Sequence, residues 1–510
     1  MPVHDPTSFP AVQPLDGHNR RLLENVHPPA WVNPAPQDKY HLVVIGAGTA
    51  GLVTAAIAAA LGARVALVER ELMGGDCLNV GCVPSKAVLA AARAWHTARE
   101  AAARFGGPTV TGDGDFGAVM ERMRRIRADI SPVDGAERFR GLGVDVFLGH
   151  GRFVADDTVE VDGRRLRFHR AVVATGARAF VPPLEGMDGV ARLTNETVFS
   201  LTERPAHLAV LGGGPIGCEL GQAFARFGCA VTLLEAGPRI LAKDDPDAAA
   251  VVASALRRDG VHVLTGADVH SVAKREAGVT IRYTQEGAAA ELQASHLLVA
   301  VGRAPNVDGM GLEAAAVDFD ARGVTVDERM RTSNPRVYAI GDVASAYQLT
   351  HAADAQARMV VRNALFHGRG KAGSLVVPWC TYTSPELAHV GMTADEAARR
   401  GGEVRTITIP LSEVDRARTD GETDGFVRIH LRAGSDTILG ATLVGPHAGE
   451  LVSQVTQAMV AGVGLGRIGT AIFPYPTLAE ALRKAADALG RERLTPAARR
   501  MFRLFFRATG

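Results

Sequence analysis

Apolar residues along this chain fall in short runs broken by glycine. The stretch Leu42–Ala63 carries no charge and is nearly long enough to cross a bilayer, but Gly46, Gly48 and Gly51 interrupt it, and Arg64 and Glu69 follow. The pattern predicts two shorter elements, a buried strand over Tyr40–Ile45 and a small-residue helix from about Thr49 to Leu61. No transmembrane segment is expected. The first 38 residues hold eight of the 26 prolines and no long apolar run, and read as an extended arm or a disordered tail. No charged segment leads into a hydrophobic one there, so a secretory signal is not expected and the protein is placed in the cytoplasm.

The strand–glycine–helix pattern occurs twice. The first copy runs His41-Leu-Val-Val-Ile-Gly46-Ala-Gly48-Thr-Ala-Gly51 and, after a helix, reaches Glu69. The second runs Leu208-Ala-Val-Leu-Gly212-Gly-Gly214-Pro-Ile-Gly217 and reaches Glu235. In both, 23 residues separate the first glycine from the glutamate. This spacing fits a dinucleotide-binding unit. The first glycine makes the tight turn, the second lets backbone approach a pyrophosphate, and the third lets helix pack on strand. Phosphates suit the helix N-terminus, and the carboxylate suits ribose hydroxyls. A pair of Gly-rich turns without ligand is the alternative, and the duplication weighs against it.

Composition adds exclusions. With 510 residues the chain has room for three or four domains. Its formal net charge of +1 offers no overall basic field for nucleic acid. Five cysteines form no disulfide framework.

Two of them stand in Gly74-Gly-Asp-Cys77-Leu-Asn-Val-Gly81-Cys82-Val-Pro-Ser-Lys86. Four residues separate them, about one helical turn plus a residue, and they are expected to meet on one helix face, with Gly81 leaving space beside them. A helix N-terminus and Lys86 are expected to lower both thiol pKa values and favour the reactive thiolate. A structural disulfide or two buried thiols is the less favoured reading. Cys218, Cys229 and Cys380 are expected in the core.

These motifs resemble the pyridine nucleotide–disulfide oxidoreductases, the flavoprotein family of dihydrolipoamide dehydrogenase, glutathione reductase and mercuric reductase. The resemblance covers about residues 39–490 and includes Ala174-Thr-Gly176, Val301-Gly302-Arg-Ala-Pro-Asn306, Ile340-Gly341-Asp342 and Pro474-Tyr475-Pro476-Thr477-Leu-Ala-Glu480. It implies an α/β fold, with two Rossmann-like domains for FAD and NAD(P) and an α+β C-terminal dimerisation domain. The implied division is a Pro-rich arm (1–38), a first FAD-binding part with the redox pair (39–185) and an NAD(P)-binding domain (186–304). A second FAD-binding part (305–372), the dimerisation domain (373–490) and a basic tail (491–510) follow. Gly46, Gly48, Gly51, Glu69, Gly176, Gly302, Gly341 and Asp342 would serve FAD. Gly212, Gly214, Gly217 and Glu235 would serve the nicotinamide dinucleotide. Hydride would pass to the flavin and on to a Cys77–Cys82 disulfide, with Cys82 against the flavin and Cys77 exchanging with substrate. Lys86 and Glu219 would form an ion pair beside the flavin. A homodimer sharing its active site across the interface is implied, without nucleic acid.

Glu235 is followed by Ala236 and Gly237, and Arg239 is the one basic candidate for a 2′-phosphate, so NADH is expected over NADPH. Tyr475 stands where disulfide-reducing relatives carry a histidine base, and a phenol is a poor base at pH 7. The Phe-Pro-Tyr segment resembles mercuric reductase instead, with Glu480 completing the motif and Cys77 and Cys82 as transient ligands of a soft metal ion. Residues 481–510 lack the cysteine pair of mercuric reductases. A lipoamide or other disulfide reductase and a flavin-binding redox sensor are the alternatives. His351 is read as structural. The tail, with six arginines and one glutamate over 491–510, is expected to bury its aromatic stripe on its own domain, a membrane surface or a partner being the alternative.

Overall fold

The structure, a computed structural model, describes residues 6–400, 403–493 and 495–510. The chain forms two compact units. One contains residues up to 99, 110–236 and 266–375; the other contains 100–109, 237–265 and 376–510.

The first unit is built on the predicted strand, β1 (Tyr40–Ile45), and helix, α2 (Thr49–Ala60), preceded by α1 (Gly17–Val26). After β2 (Val65–Glu69) come α3 (Gly75–Asn79), α4 (Cys82–Phe105), α5 (Phe116–Ile130) and α6 (Ala136–Gly141). Strands β3 (Val144–Leu148), β4 (Gly151–Ala155), β5 (Thr158–Val161) and β6 (Arg164–Val173) complete the sheet, in order β3-β2-β1-β6-β5-β4. The strand Val337–Ala339 adds in parallel to the end of β6. The β1, β2, β3 and β6 pairings are also parallel, so Gly46 and Gly341 both follow the carboxyl ends of parallel strands, where ligands of such sheets bind. Both faces are apolar and covered: Leu42, Val44 and Leu67 pack toward α2, while Val43, Ile45 and Val68 pack on the opposite layer. Burial on both faces explains the unalternating sequence of β1.

The short β7 (Ala177–Ala179) pairs antiparallel with Arg303–Pro305. The second Gly-rich unit follows as β8 (His207–Leu211), α7 (Pro215–Arg226) and β9 (Ala230–Glu235), with His296–Val299 parallel to β8 on its other side.

The N-terminal segment is neither an extended arm nor disordered over its described residues. Asp16 caps α1 by accepting from Asn19 N, and Leu22, Leu23 and Val26 are buried in the main core. Each such burial is worth roughly 1.5–3 kcal/mol, enough to outweigh the flanking prolines. Downstream, Trp31 Nε1 donates to Val146 O, and Asn33 bonds both ways to the backbone of Leu148.

The C-terminal unit holds an antiparallel sheet in the order Pro378–Thr381, Glu386–Gly391, Ile438–Gly445, Phe426–Arg432, Val404–Pro410. Helix Glu480–Arg493 closes its core through Ala481, Leu482, Ala485 and Leu489. The last helix, Pro496–Thr509, buries none of its residues, contrary to the expectation that its aromatic stripe packs on its own domain. That core is already sealed by the preceding helix. No helix among the described residues is long and apolar enough to cross a membrane.

Candidate functional site

The two Gly-rich turns are built alike to the level of single atoms. Gly46 and Gly212 have φ of +101° and +110°, and a Cβ on either would lie 2.4 or 2.5 Å from a carbonyl of the neighbouring strand end. Gly51 and Gly217 abut Gly46 O and Gly212 O so closely that a Cβ would fall 1.8 or 2.0 Å away. The middle glycines differ in kind: around Gly214 a Cβ meets nothing within 4 Å, and at Gly48 only Gly75 Cα at 3.7 Å. The turn and packing glycines are thus required by the protein itself, while the middle ones leave room for something else. The glutamates have a further part that the spacing did not reveal. Glu69 Oε2 accepts from Ala47 N and Glu235 Oε2 from Gly213 N, each at 2.7 Å, tying the strand end to the turn. Burial pushes the Glu69 carboxyl up, and the amides of Glu71 and Ala47 counter it.

The first turn opens on a cleft of about 460 Å³, within the ordinary range of cofactor sites. Gly46, Gly48, Glu69, Cys77, Cys82, Gly176, Gly341 and Asp342 line it. The structure therefore brings most of the predicted FAD-site residues together. Gly302, at φ +142°, stands just before Arg303. Sequence reasoning passed over three residues here. Arg303 bridges Asp76 and Asp342, lying 3.4 Å from the latter. Burial raises the Asp342 carboxyl, and the guanidinium opposes it. Gln356 Oε1 accepts from Gly341 N at 2.9 Å. Thr350 Oγ1 lies 3.3 Å from Cys82 Sγ. Neighbouring His351 is exposed.

The redox pair departs from the expected single helix. Cys77 sits in α3 and Cys82 starts α4, with Val80 and Gly81 between them. A Cβ on Gly81 would be 2.7 Å from Asp76 O, so the chain turns there only because that residue is glycine. The turn still brings the thiols into hydrogen-bond contact. It also makes them unequal. Cys82, at a helix N-terminus, receives the Cys77 bond and faces Thr350 and Lys86, and its pKa is lowered to about 6 against the opposing effect of burial. Cys77 is pushed upward by its bond to Cys82 and by burial, contrary to the expectation for both thiols. Four residues on, Lys86 Nζ lies 2.7 Å from the buried Glu219 carboxylate on α7. Glu219 is therefore not the solvated charge its helix position alone would suggest.

Cys218 and Cys229 are buried, as expected, whereas Cys380 is only half-buried. In the C-terminal unit, Tyr475 is exposed and its hydroxyl donates to Asp415 Oδ2 at 3.1 Å. That bond holds the phenol above its usual range. Glu480 is buried and paired with Arg483 at 2.9 Å. No cluster of three or more His, Cys, Asp or Glu suited to a resident metal occurs among the described residues.

The chain matches the profile of the pyridine nucleotide-disulphide oxidoreductases over residues 40–357, and that of their dimerisation domain over 377–486. It is 34% identical over 447 residues to a mercuric reductase of Bacillus cereus, covering 88% of this chain and 71% of that one. It is 33% identical over 466 residues to a dihydrolipoyl dehydrogenase of Bacillus subtilis, covering 88% and 98%. Among solved structures it is similar to the Cu(II) complex of the HOCl-induced flavoprotein disulfide reductase RclA from Escherichia coli, with TM-score 0.76 and 28% identity over 87% of this chain and 98% of that one. The twin turns, the paired thiols beside them and these likenesses agree: the chain belongs to the pyridine nucleotide-disulphide oxidoreductase family, whose cofactors are FAD and NAD(P)H, and carries the family's dimerisation domain.

Proposed function

We propose that the protein is an NADH-dependent flavoprotein reductase that carries electrons through Cys77 and Cys82 to a thiophilic acceptor, a metal ion such as the soft Hg(II) or the borderline Cu(II). FAD, when bound, supplies hydride acceptance and two-electron reduction of the cysteine pair. The cleft, the open face of Gly48 and the amides at the start of α2 fit its pyrophosphate, with Glu69 and Asp342 toward its sugar and ribityl hydroxyls. Reduction of a Cys77–Cys82 disulfide takes up two electrons and one proton. Cys77 keeps the proton as a thiol, and Cys82 remains the thiolate. Lys86, anchored by Glu219, holds positive charge beside that thiolate.

One observation carries the acceptor reading. The terminal motif offers Tyr475, a phenol bonded to a carboxylate and held above its usual pKa, where a disulfide substrate requires a base. A metal ion needs ligands and no proton transfer, and soft thiolates suit soft ions. The RclA likeness, solved with Cu(II), supports the same class. Steady NADH oxidation with Hg(II) or Cu(II), and little with lipoamide, is the expected result. Lipoamide turnover exceeding that with metal ions would instead support the second reading, a disulfide reductase, which the equally similar dihydrolipoyl dehydrogenases favour.

For the nicotinamide, Arg239 spends its guanidinium on the carbonyls of Leu241, Ala242 and Asp244, which supports NADH over NADPH. Gly214→Ala tests the second turn. Its φ of −76° suits alanine and its Cβ meets no protein atom, so fold and FAD content should be unchanged. The KM for NADH is expected to rise about tenfold or more, because the methyl occupies the pyrophosphate's space. An unchanged KM would place the dinucleotide elsewhere.

A further inference from the structure

The helix Pro496–Thr509 is capped by Thr495, which accepts from Ala498 N, and so is a separate element with its own start signal. At about 100° per residue, Arg499, Arg500, Arg503 and Arg507 share one arc of roughly 100°, Ala498, Met501, Phe502 and Phe505 share another on the opposite side, and Phe506 lies at the border beside Arg499. Every one of these aromatic side chains is exposed, Phe502 least at 43% and Phe506 most at 67%. No acidic residue occurs in the helix.

We propose that this helix lies on anionic membrane surfaces, with its phenylalanines among the acyl chains and its arginines among the lipid phosphates. Its 14 residues extend about 21 Å, too short to span a hydrocarbon core of about 30 Å, so it rests in the interface plane. Its partner must supply apolar depth and dense negative charge side by side. Anionic lipid supplies both. A second copy of this chain suits a different surface: residues 468–479 carry no charge at all and expose Ile472 at 99% and Tyr475 at 72%. That segment falls within the dimerisation domain, whereas the arginine helix lies beyond its matched residues 377–486.

The test is flotation of the FAD-loaded full chain with vesicles of phosphatidylglycerol mixed into phosphatidylcholine, and with phosphatidylcholine alone. Association at least about tenfold stronger with the anionic vesicles, weakened by salt, is expected. The double substitution Phe502→Asp, Phe505→Asp and a chain lacking residues 495–510 should both stay in solution, with NADH oxidation in solution and dimer mass unchanged. Equal association with neutral vesicles, or none with either, overturns the proposal. So does loss of the dimer on removing 495–510, which would assign the helix to the subunit contact.

Discussion

Cys82→Ser is expected to leave FAD bound and to lower acceptor turnover by about three orders of magnitude or more, because no disulfide can form and the thiolate position is lost. The same change should abolish the long-wavelength absorbance that a thiolate gives beside oxidised flavin. Cys77→Ser should also abolish turnover yet keep that absorbance. The distinction follows from the asymmetry of the pair: Cys82 is lowered to about 6 by the Cys77 bond, Thr350 and Lys86, and Cys77 is raised by the reciprocal interaction. A thiol with lowered pKa is charged above that value and neutral below it. In Cys77→Ser the absorbance should therefore fade as pH falls through the thiolate's pKa. Lys86→Met, which removes a favourable charge, should move that midpoint upward. If Cys82→Ser retains the absorbance, Cys77 is the flavin-facing sulfur and the assignment of the two roles is reversed.

Much of this arrangement was legible in the chain because its constraints are local. A turn glycine that must accept φ near +100° and a third glycine against the carbonyl of the first are fixed within six residues, and they recur at Gly46–Gly51 and Gly212–Gly217. The strand before the first turn has the predicted bounds, since an uncharged run ending in glycine leaves little alternative. What escaped depends on residues far apart in sequence. Thr350 reaches Cys82 across 268 positions and Arg303 reaches Asp76 across 227. Neither carries a signal of its own: Arg303 starts a three-residue strand and Thr350 starts a helix. The break between α3 and α4 escaped for another reason: cysteine spacing alone does not distinguish one helix from two short ones meeting at Gly81. The C-terminal stripe was misjudged because amphipathic periodicity reports that a face exists, not whether the domain still has a vacant surface to receive it.

The N-terminal segment escaped because proline content masked a short helix whose partners lie 108 residues away, and that pairing carries the second large effect. Arg127 is fully buried. Its Nη2 donates to Asn19 Oδ1 of α1 and its Nη1 to Asn79 O at the end of α3, each at 2.6 Å. Beside it, Arg124 Nε donates to Asp16 Oδ2 at 2.6 Å. Burial pulls the Arg127 guanidinium down to about 10, so it remains charged at neutral pH. Arg127→Ala would leave two buried acceptors without their donors, at about 1–3 kcal/mol each, and a cavity besides. Against this stands relief from burying a cation whose Nε finds no partner. The losses should win by about 2–4 kcal/mol. Arg127→Met, which fills the space and removes the charge, should cost roughly half as much. Because the whole chain has more than one unit, hydrogen exchange of the α1 amides is a better measure than a single melting temperature. Faster exchange confined to α1 and α3 in Arg127→Ala, with the sheet of the C-terminal unit unchanged, is the expected pattern. Unchanged protection of α1 would mean that Leu22, Leu23 and Val26 hold the helix without the arginine, and that the buried cation contributes nothing to docking the N-terminal segment against the redox helix.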